Sequence, residues 1–162
     1  MTGPVPPAGA GVPRVGEAAP DLSLPDQFGE QLSLSALRGE TAALVVFYPF
    51  AFSGVCTGEL CALRDDLAAF AAAGVQVVAV SCDPMYSLRA WAEHEGYDFP
   101  LLSDFWPHGE VSRRYGVFDD RAGTSGRGTF LVDAEGNLRW AVVSGWGEAR
   151  DLSAYRAAVA AL

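Results

Sequence analysis

The chain has 162 residues, half of them apolar, 19% charged and 11% aromatic, which is one globular domain's worth of core and no signature of disorder. Its formal charge of −9, from 20 acidic against 11 basic residues, repels phosphate backbones and anionic membranes and argues against nucleic acid as a partner. No apolar run exceeds seven residues, the length of Ala42 to Tyr48, against the roughly 20 needed to span a bilayer.

Residues 1–14 contain Pro4, Pro6, Pro7 and Pro13, which deny the segment both helix and ladder, and they lack the basic start and apolar run of a secretory signal. The expectation is a flexible tail over 1–14 and a single domain over 15–162. Cys56, Cys61 and Cys82 are too few for a secreted disulfide framework, so a cytoplasmic protein with reactive thiols is expected. His94 and His108 lie far apart and no CxxC pair exists, so neither a metal nor another cofactor is expected.

From Pro20 to Ser33 the pattern predicts two short strands around the turn Asp26-Gln27-Phe28-Gly29, then a helical turn from Ser35 closed by Gly39. Ala42 to Tyr48 is continuously apolar, as in a strand buried on both faces, and Pro49 ends it. Between Ser53 and Gly74, the residues Leu60, Leu63, Leu67 and Phe70 recur at helical spacing, with Gly74 at the C-terminal cap. The buried strand Val75 to Ser81 completes a βαβ unit, whose crossover is right-handed.

Asp83-Pro84 reads as an N-cap and first helical residue, opening a helix with Leu88 and Trp91 inward that Gly96 stops. A short strand at Pro100 to Leu102 and a helix from Pro107 to Tyr115 follow. Thr129 to Val132 and Leu138 to Val143 predict a hairpin across Asp133 to Asn137, and Asp151 to Leu162 a last helix with Leu152, Tyr155, Val159 and Leu162 inward. This order is that of an α/β, thioredoxin-like domain with a central mixed sheet flanked by helices.

Cys56 falls just past a buried strand, in the first turn of the following helix. Ligand sites of open α/β sheets lie beyond the strands' carboxyl ends, and a helix N-terminus there favours an anion. A thiol so placed is favoured as the thiolate, the form that reacts. A lone cysteine is otherwise most often a small packed hydrophobe.

The string Pro49-Phe50-Ala51-Phe52-Ser53-Gly54-Val55-Cys56 resembles the peroxiredoxin signature: a proline, a Thr or Ser four residues on, and the peroxidatic cysteine three further. Glu59, Pro100 to Asp104 and Arg127 to Phe130 also match family features. Phe105 to Gly109 with Tyr115 to Phe118 is most similar to the one-cysteine, alkyl hydroperoxide reductase E branch of actinobacteria. The resemblance runs from Val15 to Leu162.

It implies a thiol-dependent peroxidase, an oxidoreductase of the antioxidant class that reduces hydrogen peroxide, organic hydroperoxides and peroxynitrite through a sulfenic acid on Cys56. Pro49 would shield the thiolate, Ser53 and the N–H groups near Val55 and Cys56 would hold peroxide oxygens, and Arg127 would favour the thiolate and polarise the O–O bond. Singly, each has a plainer reading: Pro49 as strand terminator, Ser53 as N-cap, Arg127 as a solvated charge. Glu59 would complement its helix N-terminus or orient an arginine. The implied partners are a thiol reductant (thioredoxin, mycoredoxin or a low-molecular-weight thiol) and a second copy of the chain in a homodimer or higher oligomer.

Cys61 departs from the one-cysteine branch, because its spacing of five from Cys56 is the one that bacterioferritin-comigratory-type peroxiredoxins use for an internal disulfide. On a regular helix five residues advance about 7.5 Å and rotate the side chains about 140° apart, so the first turns would have to unwind. Gly58 and Thr57 ease that. Cys61 is thus either a resolving cysteine or inert, and Cys82 is expected to be structural. A second functional class, a non-enzymatic redox sensor built on Cys56, remains open at this point.

Overall fold

The computed structural model describes residues 11–148 and 150–162; the first ten residues of the expected tail lie outside the described residues. Gly11 and Val12 lie against Gly116, where an added Cβ would come within 2.7 Å of Val12 N.

The strands β1 (Ser23–Pro25) and β2 (Gln31–Ser33) form a small antiparallel pair, and the 3-10 turn Ser35–Leu37 follows. The main sheet is built from β3 (Ala42–Phe47), β4 (Val75–Ser81), β5 (Leu101–Ser103), β8 (Arg127–Val132) and β9 (Leu138–Ser144) in the spatial order β5-β4-β3-β8-β9. The pairs β3–β4 and β4–β5 are parallel, and β3–β8 and β8–β9 antiparallel, so the sheet is mixed as expected. Two strands of two residues each, β6 (Phe118–Asp119) and β7 (Thr124–Ser125), form a ribbon that sequence patterning does not reveal. A pair that short carries no period.

Every residue of β3 is buried, because helices and loops cover both faces of the sheet. Leu44 and Val46 join one core layer with Leu60, Leu63 and Phe70 of α1 (Gly54–Ala72), Leu88 and Trp91 of α2 (Met85–Glu95) and Tyr155 of α4 (Leu152–Ala160). Val45 and Phe47 join the other with Leu22, Leu24, Tyr115 and Phe130. Each such side chain contributes about 1.5–3 kcal/mol on burial. Gly74 and Gly96 adopt φ of +75° and +71° where α1 and α2 end, the left-handed conformation that glycine reaches without a Cβ clash.

Three local expectations need correction. Asp83 does not cap α2; Pro84 occupies the cap position without a side-chain bond. The helix expected from Pro107 to Tyr115 is the single turn and a half α3 (Glu110–Arg114), preceded by Gly109 at φ +71°. Leu162 is exposed, because α4 ends at Ala160.

Candidate active site

The site lies where β3 runs out. Pro49 ends the strand, its carbonyl accepts the Thr124 hydroxyl at 2.6 Å, and the chain then turns through Phe50 to Ser53 into α1. Phe52 has φ +65°, the only positive φ of a non-glycine among the described residues. For a bulky side chain that conformation costs on the order of 1–3 kcal/mol. Ser53 takes the N-cap position of α1, yet its hydroxyl caps nothing and is buried without a hydrogen-bond partner. It is therefore a spare donor and acceptor three residues from Cys56.

Cys56, the third residue of α1, is fully buried, more sheltered than its position alone suggests. Across the sheet, Arg127 opens β8 and is only 3% exposed, which sets aside the reading of it as a solvated charge. Its guanidinium spreads three donors: Nη2 to Cys56 Sγ at 3.4 Å, Nη1 to Glu59 Oε2 at 2.5 Å, and Nε to the Trp146 carbonyl at 2.7 Å. Only a forked, permanently charged group reaches three partners so disposed.

Glu59 stands one turn after Cys56 and holds a second arginine, Arg150, whose backbone N–H donates to Oε1 at 3.0 Å and whose Nε lies 3.6 Å from Oε2. Arg150 also donates through Nη2 to the Phe47 carbonyl. These side chains are 3%, 6% and 4% exposed for Arg127, Glu59 and Arg150. The buried set thus contains two cations and one carboxylate, and an anionic sulfur at Cys56 brings its charge to zero. Burying the set without that balance is costly. Burial pushes the Tyr48 phenol well up, so it stays neutral, and its hydroxyl is buried without a hydrogen-bond partner.

Sequence reasoning missed Arg150 and the Trp146 carbonyl. Both lie in the irregular segment between β9 and α4, far from the motif and without periodicity. The one available signal was Glu59 itself, since a carboxylate this close to a helix start can serve more than one cation.

Cys61 points elsewhere. Its Sγ lies 3.5 Å from Glu95 Oε2 and 3.5 Å from Tyr97 Oη, and that tyrosine also donates to the Thr57 carbonyl at 3.3 Å. All three cysteines are free, and Cys56 and Cys61 belong to one unbroken helix. Cys82 is buried 3.6 Å from the Ser125 hydroxyl, and burial pushes its thiol up, which suits a packed residue. Among the described residues no group of His, Cys, Asp and Glu is arranged to hold a metal ion, and no helix is long and apolar enough to cross a membrane.

Residues 15–141 match the model of the AhpC/TSA family. The chain is 47% identical over 149 residues to alkyl hydroperoxide reductase E of Mycobacterium tuberculosis, covering 92% of this chain and 97% of that one. It is 38% identical over 131 residues to the peroxiredoxin Bcp of Escherichia coli, covering 77% and 82%. Among solved structures it superimposes on the peroxidoxin BcpB from Mycobacterium tuberculosis with a TM-score of 0.82 at 31% identity, over 92% of this chain and 97% of that one.

Proposed function

The chain belongs to the AhpC/TSA family and is a peroxiredoxin, a thiol-dependent peroxidase with the thioredoxin-like fold, and on that premise we propose that Cys56 is its peroxidatic residue. The observation that carries the reading is the 3.4 Å contact of Arg127 Nη2 with Cys56 Sγ inside a buried, charge-paired set. The sensor alternative is not favoured, because relatives over most of the chain are named as reductases and peroxiredoxins.

The Cys56 thiolate attacks the nearer peroxide oxygen in line, the S–O bond forms as the O–O bond breaks, and the other oxygen leaves as hydroxide or alkoxide and takes up a proton. Negative charge spreads over S–O–O at that moment. Arg127, the spare Ser53 hydroxyl and the N–H groups at the start of α1 are the donors for it, and they are held in place before the reaction. Pro49, fixed by Thr124, keeps water off the sulfur. Glu59 and Arg150 orient Arg127. Hydrogen peroxide and small organic hydroperoxides fit this donor set, and peroxynitrite is a third substrate of the same chemistry.

The product, Cys56 sulfenic acid, is reset by a thiol before further oxidation traps it. An external reductant serves here, a thioredoxin- or mycoredoxin-type protein or a low-molecular-weight thiol, and Cys61 resolves part of the turnover as an internal disulfide. That route requires the first turns of α1 to unwind and Tyr97 to release Thr57. Residues 15–162 form the working domain, the cytoplasm its place, and a homodimer or higher oligomer its assembly. Steady-state consumption of peroxide with a supplied dithiol tests the enzyme: turnover over many equivalents is expected, and a single stoichiometric oxidation would contradict it.

A further inference from the structure

Asp83 has the sequence position of a helix cap and does not cap. Its carboxylate reaches instead to the loop before Cys56: Oδ2 accepts the Ala51 N–H at 2.9 Å and the Ser81 hydroxyl at 2.7 Å. Asp83 is itself held, because its N–H donates to Ser81 Oγ at 3.3 Å and its carbonyl accepts the Ser103 hydroxyl at 2.6 Å. The bond to Ala51 immediately precedes Phe52, the one described non-glycine residue in the left-handed region. Phe52 is 55% exposed, and its ring meets the buried Trp91 ring in a tilted contact at 6.1 Å between centroids. Thr124 fixes the loop at Pro49, and Asp83 fixes it at Ala51. Beyond these two points the chain passes through the strained residue into Ser53 and α1, and the Ser53 N–H donates to the Phe50 carbonyl at 3.4 Å across the turn.

We infer that Asp83 is a positioning residue of the peroxidase, which holds Phe52 in its left-handed conformation and thereby sets Ser53 and Cys56 against Arg127. The inference rests on the reading of Cys56 as the reacting thiol.

The test is the second-order rate of oxidation of the reduced protein by hydrogen peroxide, read as intact mass after quenching, beside circular dichroism and thermal unfolding. Asp83→Ala oxidises at least about tenfold more slowly, the order expected for a displaced reacting group. Asp83→Asn stays within about threefold of wild type, since one oxygen accepts both bonds and an amide oxygen can do the same. In the Asp83→Ala background, Phe52→Gly recovers most of the lost rate, because glycine holds a positive φ without a pin.

A wild-type rate in Asp83→Ala, a loss that Phe52→Gly does not recover, or an Asp83→Asn protein as slow as Asp83→Ala overturns the inference. Where Asp83→Ala does not fold, Ser81→Ala takes its place: slowing recovered by Phe52→Gly supports it, and an unchanged rate overturns it. A Cys56→Ser protein that still gains oxygen contradicts the reading of the site itself, whatever Asp83 does.

Discussion

Arg127 and Cys56 are 71 positions apart in the chain, and the guanidinium Nη2 of one meets the sulfur of the other at 3.4 Å. The meeting is made by the sheet: β3 delivers the chain to Cys56, and β8, its antiparallel neighbour, begins at Arg127 where Phe47 pairs with Gly128. A permanent cation thereby stands against the sulfur, from which, in the proposed mechanism, charge spreads to the peroxide oxygens.

Arg127→Lys keeps the charge and loses the fork. A single ammonium cannot serve Cys56, Glu59 and the Trp146 carbonyl together, so oxidation of Cys56 by hydrogen peroxide slows about 100-fold, as for loss of one donor to a developing charge. Stopped-flow tryptophan fluorescence measures it, and a change below about threefold would show that charge alone suffices.

Glu59→Ala leaves two buried arginines without their shared carboxylate. Stripping one partner from a buried ion pair destabilises by about 3–5 kcal/mol, and the peroxide reaction slows as well because Arg127 loses its orientation. Glu59→Gln, which retains an acceptor oxygen, loses less of both. Urea unfolding of the three proteins at one pH checks the order.

Asp104 accepts the N–H groups of Val111 and Ser112 and the Ser112 hydroxyl, yet burial pushes its carboxyl above the ordinary range. The folded state therefore binds this proton more tightly than the unfolded chain does. This group's contribution to stability rises as pH falls through the raised folded value and is complete below the unfolded value of about 3.9. The stability of wild type relative to Asp104→Asn thus increases from pH 7 toward pH 4, as thermal or urea unfolding at each pH will show; a constant difference would mean that the group does not titrate there.

Cys61→Ser separates the two routes of resetting. One equivalent of hydrogen peroxide takes two hydrogens from the wild-type mass if Cys61 closes a disulfide, and adds one oxygen to Cys61→Ser. Added oxygen in both proteins would leave only the external thiol. Tyr97→Phe removes the bond to Thr57 and is expected to speed closure.

The βαβ core and the position of Cys56 at a helix start were legible because their signals are local. Ala42 to Tyr48 has no polar residue, the stripe from Leu60 to Phe70 keeps one face, and Cys56 follows a strand and opens a helix. What was not legible depends on the tertiary fold. The Glu59–Arg150 contact spans 91 positions and ends in a segment without periodicity. Asp83 has the chemistry of a cap, and only the fold shows that its carboxylate accepts from Ala51 instead. Leu162 matches the apolar stripe of α4 but lies beyond its end.

The most direct test of the account is the intact mass of reduced wild type and of Cys56→Ser after one equivalent of hydrogen peroxide. The wild-type protein should be oxidised, as a disulfide or with one added oxygen, while Cys56→Ser keeps its reduced mass although Cys61 and Cys82 remain. Equal oxidation of Cys56→Ser would contradict the assignment of Cys56 as the reacting thiol.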